Sequence, residues 1–360
     1  MNKRTFLKQL GLGTGAALAF PTFFTGCEAT PNEDFKLWVW TGGDDKTSED
    51  WKQEFTKLKE AGFHGVLVGG GHNTLPTAIP EAKALGLEIH AWVWTMNQPG
   101  DKEAQAHPEW YAVSREGNSS LDVRPYVDYY QWLCPNKPEV QEYIFNKMMD
   151  ICDLEGLDGV QLDYVRFCDV ILPPGLWSKY DLVQDHEMPE YDFCYCDTCR
   201  DKFKAKSGYD PLDKEDPSQD EDWKQFRYDS ITEVVNKIAV GVHERKKKLS
   251  ASVFASPSLA RKFVRQAWDD WDLDFVFPMI YYKMYDEPVE FVRTATREGV
   301  DALKGSKPLY TAQYLHDKNA EEVRQSIEMA KAGGSEGLAV FNYSLLSDEF
   351  LEVIKAAQKA

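Results

Sequence analysis

From residue 35 to the end of the chain, two hydrophobic periods take turns. Short apolar, β-branched and aromatic runs alternate with segments in which apolar residues recur at helical spacing. The runs read as strands at 35–40, 64–69, 87–94, 157–163, 249–254, 275–282, 309–314 and 337–343. Between them lie predicted helices. One spans about 47–61, with Trp51, Phe55 and Leu58 on one face and Thr47/Asp50 as its cap. Others span 74–85, a stretch opened by Asn136 as cap with Pro138 in the first turn, about 221–247, a helix capped by Asn319 and Glu322, and 348–358. Strict alternation implies parallel strands joined by helical crossovers. Eight such units in roughly 320 residues predict an α/β fold, a (β/α)8 TIM barrel with an insertion at about 168–220 after strand four. A doubly wound open sheet is the competing architecture. It would carry a glycine-rich phosphate turn after its first strand, and Gly69-Gly-Gly-His lacks the spaced G-x-G-x-x-G pattern.

The first 34 residues follow different rules. Residues 1–26 combine a basic start (Lys3, Arg4, Lys8) with a small, apolar, Gly/Ala-rich run, the pattern of a secretory signal peptide. The run is shorter than the roughly 20 apolar residues of a membrane span. Lys3-Arg4 resembles a weakened twin-arginine signal. Phe24-Thr25-Gly26-Cys27 resembles a bacterial lipobox, so Cys27 is the expected lipidation site, on a protein anchored in the bacterial cell envelope, periplasmic or outer-membrane. A cleaved, soluble secretory protein is the alternative. Residues 27–34 then form the anchor and a polar tether, and 35–360 a single barrel domain. The formal charge is −18, and removing residues 1–26 takes away Lys3, Arg4 and Lys8 and no acid, which makes it −21. A nucleic-acid partner normally meets a basic field, so that class is disfavoured and no nucleic acid is expected.

In a TIM barrel the chemistry sits at the C-terminal ends of the strands. Those ends carry Trp38, Trp40 and Asp44; Trp92, Trp94 and Asn97; Gln161, Asp163 and Arg166; Tyr281, Tyr282, Lys283 and Asp286; Gln313, Tyr314, His316 and Asp317; and Asn342 and Tyr343. Aromatic faces suit the C–H faces of sugar rings, and acids, amides and arginine suit the hydroxyls. The expected partner is a carbohydrate, with Trp40, Trp94, Arg166, Tyr281, Tyr282, Lys283, Gln313 and Tyr343 as binding residues. Asp163, near the top of strand four, is the candidate catalytic carboxylate. Asp158 opens that strand, at the wrong end for catalysis, and reads as structural. Arg166 either binds substrate or forms an ion pair that fixes the loop. Glycoside hydrolysis in most families uses two carboxyls, about 5 Å apart in retaining and about 6.5–9.5 Å apart in inverting enzymes. Asp286 is the first choice for the second, ahead of Asp317 and Asp44.

Leu157-Asp-Gly-Val-Gln-Leu-Asp-Tyr-Val-Arg-Phe167 resembles the fourth-strand signature of the glycosyl-hydrolase-like family 10 proteins, and Phe277-Pro-Met-Ile-Tyr-Tyr282 resembles their sixth strand. The resemblance implies a secreted bacterial barrel acting on polysaccharide. A fainter likeness to the chitinase DGxDxDxE motif breaks at Gln161 and Val165, so that mechanism is not expected. A catalytically silent, lipid-anchored glycan-binding barrel is the alternative to a hydrolase, because only one carboxylate is placed by a motif.

The chain has seven cysteines: 27, 134, 152, 168, 194, 196 and 199. Cys194-Tyr-Cys196-Asp-Thr-Cys199 crowds three thiols, which bridge one another poorly. With Cys134 as a fourth ligand they would suit a structural, tetrahedral zinc. Disulfides, favoured by export, remain the alternative. The arrangement is similar to glycoside hydrolase family 42 β-galactosidases, where a C-P-N before a helix and a later C-x-C-x-x-C bind a structural zinc. That family's acid/base pair after strand four is missing here. The histidines show no ligand spacing, and no catalytic cofactor is expected.

Overall fold

The structure is a computed structural model that describes residues 35–43 and 45–359; the expected signal and tether, Cys27 and Asp44 lie outside the described residues. Eight parallel strands close into a barrel in chain order, with the first strand paired to the eighth. They are β1 (Lys36–Thr41), β2 (Gly65–Val68), β3 (Glu88–Trp94), β4 (Gly159–Asp163), β5 (Lys248–Phe254), β6 (Phe275–Met279), β7 (Tyr310–Tyr314) and β8 (Gly337–Phe341). The helices are α1 (Ser48–Glu60), α2 (Gly71–Ala84), the single turn α3 (Lys102–Gln105), α4 (Pro138–Cys152), α5 (Asp197–Ser207), α6 (Glu221–Glu244), α7 (Pro257–Val264), α8 (Glu290–Leu303), α9 (Ala320–Gly333) and α10 (Asp348–Lys359). Eight of these follow the eight strands. The other two, α3 and α5, sit in the long loops after β3 and β4. The expected TIM barrel is therefore the observed fold.

The barrel interior is filled by rings from alternate strand positions. Trp38, Trp40, Leu67, Phe275, Phe277 and Tyr310 form one buried cluster. Glycines face the largest of these rings. A Cβ on Gly65 would lie 2.4 Å from the Trp38 ring, and one on Gly159 would lie 2.5 Å from His90. The second hydrophobic layer lies between the strands and the helices, where Trp51, Phe55 and Leu58 of α1 are fully buried.

Several local expectations hold. Thr47 and Asp50 form a reciprocal capping box on α1, as do Asn319 and Glu322 on α9. Asp158 works at the bottom of the barrel, bonding the Lys83 ammonium at 2.7 Å and the Ile89 amide at 2.9 Å. One cap differs. Lys137, not Asn136, is the N-cap of α4, and Asn136 instead donates to the Cys199 sulfur and the Ser230 hydroxyl. Pro138 is in the first turn, as expected.

The largest difference lies at the top of β6. The run 275–282 is one apolar and aromatic string, yet the strand ends at Met279. Pro278 has no N–H to give the ladder, and Met279 with Ala312 is the register pair between β6 and β7. Beyond Ile280 the chain coils into a 3-10 turn, Tyr282–Tyr285. β8 likewise ends at Phe341 and passes into the turn Tyr343–Leu345.

Candidate active site

A cavity of about 310 Å3 opens at the C-terminal ends of the strands. Its floor is Trp40, Trp92, Ser252, Met279 and Phe341, all from strand positions that face the barrel interior. Trp94, Asp163 and Tyr281 form its inner wall. One outer wall comes from the loop after β3, through Tyr126, Tyr129 and Tyr130. The other comes from the insertion after β4, through Leu172, Pro173, Leu176, Lys179 and Tyr180.

Asp163 is the last residue of β4 and lies in register with Trp94 of β3. Its two oxygens are held separately. Oδ2 accepts from the Trp92 indole at 2.9 Å, and Oδ1 accepts from the Tyr164 amide at 2.7 Å. Tyr164 has a φ of 49°, sparsely populated for a bulky side chain, and its ring packs 4.6 Å from that of Trp94. Burial pushes the Asp163 carboxyl above the usual aspartate range, against the pull of Trp92, the Tyr164 amide and Arg166. Asp163 is half-buried and lines the cavity.

Arg166 also lines the cavity, but its charge is spent elsewhere. It pairs with Asp169 at 2.9 Å and donates to the Phe167 carbonyl and the Tyr130 hydroxyl. The guanidinium lies over Trp132, Tyr164 and Phe254 at 4.7–5.2 Å from their ring centres. Asp169 is thus the second carboxylate on the cavity wall, 3% exposed and neutralised by an ion pair.

Of the residues expected to bind sugar, Trp40, Trp94, Arg166 and Tyr281 line the cavity. Four others lie outside it. The turn after β6 swings Tyr282 and Lys283 outward to Glu322 of α9, at 3.3 and 2.8 Å. Gln313 is one position off the interior face of β7. Its side chain bonds the Ile280 carbonyl and receives the Lys318 ammonium. Tyr343 sits in the turn after β8, beside Lys46. Asp286 is exposed at the end of the 3-10 turn after β6 and does not line the cavity. Asp317 is also exposed. The sequence reading missed Asp169, Tyr126, Tyr129, Tyr130, Lys179 and Tyr180. Their loops carry no period, and a cluster of tyrosines at 126–130 was the one available signal.

The four-cysteine group assembles as well. The sulfurs of Cys134, Cys194, Cys196 and Cys199 are all buried and lie within 4.8 Å of one another. Cys134 is 3.6 Å from Cys196 and 3.4 Å from Cys199, close to the sulfur–sulfur edge of about 3.8 Å expected around a tetrahedral zinc. The Val113 amide donates to Cys194 and the Asn136 amide group to Cys199, contacts suited to thiolates. The six cysteines among the described residues are free thiols, including the buried Cys152 and Cys168. The group can hold a metal ion, and with no open position that role would be structural.

A closed parallel barrel with an aromatic cavity and a carboxylate at its strand tops places the chain among the (β/α)8 barrels. The model of the family described as Glycosyl hydrolase-like 10 matches residues 46–170, a stretch that includes the β4 signature and Asp163. The match falls on the stretch that carries the β4 resemblance, and the β6 stretch 277–282 lies outside it. Solved structures share the fold at low identity. The glycoside hydrolase domain of PgaB (BpsB) from Bordetella bronchiseptica superposes with a TM-score of 0.63 and 12% identity, over 90% of this chain and 97% of that domain. A β-galactosidase from the haloarchaeon Halorubrum lacusprofundi gives 0.65 and 14%, over 90% of this chain and 58% of its own. The β-amylase catalytic domain from Paenibacillus polymyxa gives 0.60 and 11%, over 91% and 98%. A comparison with curated proteins gives no match.

Proposed function

We propose that this protein is a glycoside hydrolase acting on a polysaccharide or oligosaccharide, with Asp163 as its catalytic carboxylate. The observation that carries this reading is the position of Asp163, the cavity carboxylate left without an ion pair, at the centre of an aromatic bowl. Burial favours the protonated carboxyl, which can give its proton to the glycosidic oxygen as that C–O bond breaks, while water adds its oxygen to the anomeric carbon and a proton returns to the carboxylate. Trp94, Trp92 and Tyr281 offer apolar faces to the sugar ring, and Trp92 also orients the acid.

Asp163→Asn tests the assignment. Turnover of a cleaved glycan should fall by roughly 10²–10⁴-fold while binding is retained. Undiminished turnover would remove Asp163 from the mechanism. The wild-type rate should also decline as pH rises through the raised Asp163 pKa, since the active form is the protonated one. A second reading, a glycan-binding barrel without catalysis, is favoured by one observation: Arg166 ties up the cavity's other carboxylate, Asp169. Binding without cleavage across a broad glycan panel would support it.

We further propose that Cys134, Cys194, Cys196 and Cys199 hold a structural zinc, supported by the donor set and its spacing. The chain is also proposed to be exported and anchored in the envelope through a lipid on Cys27, on the strength of the residue 1–27 pattern. No helix among the described residues is long and apolar enough to cross a membrane.

A further inference from the structure

The four cysteines are not distributed at random over the fold. Cys134 ends the loop whose Tyr126, Tyr129 and Tyr130 make one outer wall of the cavity. Cys194, Cys196 and Cys199 end the stretch of the insertion whose Leu172, Pro173, Leu176, Lys179 and Tyr180 make the other. The cluster therefore ties the far ends of both walls together.

The two loops are joined along their length as well. Ser114 and Phe193 form an antiparallel bridge, the Arg115 amide donates to the Asp192 carbonyl, and the Tyr195 amide donates to Val113. Nearer the cavity, Tyr126 stacks on Tyr191 at 4.2 Å, donates to the Asp169 carbonyl and accepts from Gln184. Below the seam, Arg227 of α6 pairs with the buried Asp192. Neither wall has regular secondary structure where it faces the cavity, apart from a 3-10 segment at Pro174–Tyr180. Such segments have few ladder bonds of their own and open locally when the tertiary contacts that hold them are lost.

We infer that the Cys134–Cys194–Cys196–Cys199 cluster, when it holds a thiophilic divalent cation, sets the shape of the carbohydrate cavity by locking both outer walls into one unit. Its cysteines are positioning residues: none touches the cavity, and each acts through the loop it terminates. The inference rests on the metal reading above but not on the hydrolase reading, because it concerns wall order rather than turnover.

The test is amide hydrogen exchange, read by mass spectrometry on the full protein as purified, after treatment with a strong zinc chelator, and after zinc is added back. Metal content is measured on the same samples. About one zinc per chain is expected. Chelation should raise exchange by roughly tenfold or more in residues 120–134 and 168–193, leave the strands of the barrel unchanged, and be reversed by zinc. Cys199→Ser should reproduce the loosening without chelator, and Cys152→Ser, a buried thiol outside the cluster, should not. Loosening confined to 194–199 in a zinc-loaded protein would overturn the wall-setting role and leave the metal site standing. Metal-free protein with these cysteines in disulfides would overturn both.

Discussion

At the scale of single residues, the barrel separates its carboxylates by environment. Asp163 at the top is raised by burial and forms no ion pair among the described residues. Glu88 at the bottom is half-buried, and against the cost of that burial His64, His90 and Lys248 hold it far below the usual glutamate range. A carboxylate with a depressed folded pKa stabilises the fold above its ordinary pKa and loses that contribution as pH falls through the folded value. Glu88→Gln should therefore cost about 2–4 kcal/mol at neutral pH. It should also flatten the acid limb of a plot of stability against pH, measured by denaturant unfolding between neutral and acid pH. An unchanged acid limb would show that the cluster contributes nothing to pH-dependent stability. Asp163 and Glu88 are both inward-facing strand residues, and in the bare sequence they differ only in which end of a strand they occupy.

At the scale of elements, the strands and the helices after them were legible because period-2 and period-3.6 patterns are local. The walls of the cavity were not. Gln313 and Tyr282 sit at predicted strand tops, yet a one-residue change of parity at Gln313 and a turn before Tyr282 aim both away from the cavity. The 3-10 segment Pro174–Tyr180 shows how such a wall is seated. A Cβ on Gly175 would lie 2.3 Å from the Lys283 carbonyl and 2.8 Å from that of Met284, so only glycine lets this segment press onto the turn after β6. Gly175→Ala should push the wall outward. The expected result is a KM raised roughly three- to tenfold with kcat little changed, checked by steady-state kinetics on a cleaved glycan. A KM equal to wild type would mean that this contact does not shape the cavity.

At the scale of the whole molecule, one barrel accounts for the described residues, and both long loops contribute to the cavity at its strand tops. The remaining residues bear on where the barrel works. Cys27→Ser should shift the protein from the membrane fraction to the soluble fraction and abolish incorporation of labelled fatty acid. Label retained in the variant would overturn the anchor. The charge of −21 without residues 1–26 disfavours docking of anionic polymers through the bulk field.

The sequence by itself determined the barrel, the strand-top position of Asp163 and the grouping of the four cysteines. Each of these follows from a local period or a short motif, and those are written in neighbouring residues. Tertiary structure alone decided which aromatics form the bowl, that Arg166 neutralises Asp169, that Asn136 serves a cysteine rather than a helix end, and that the cysteines of two separate loops meet. These pairings join residues far apart in the chain through loops without a period, and only packing brings such partners together.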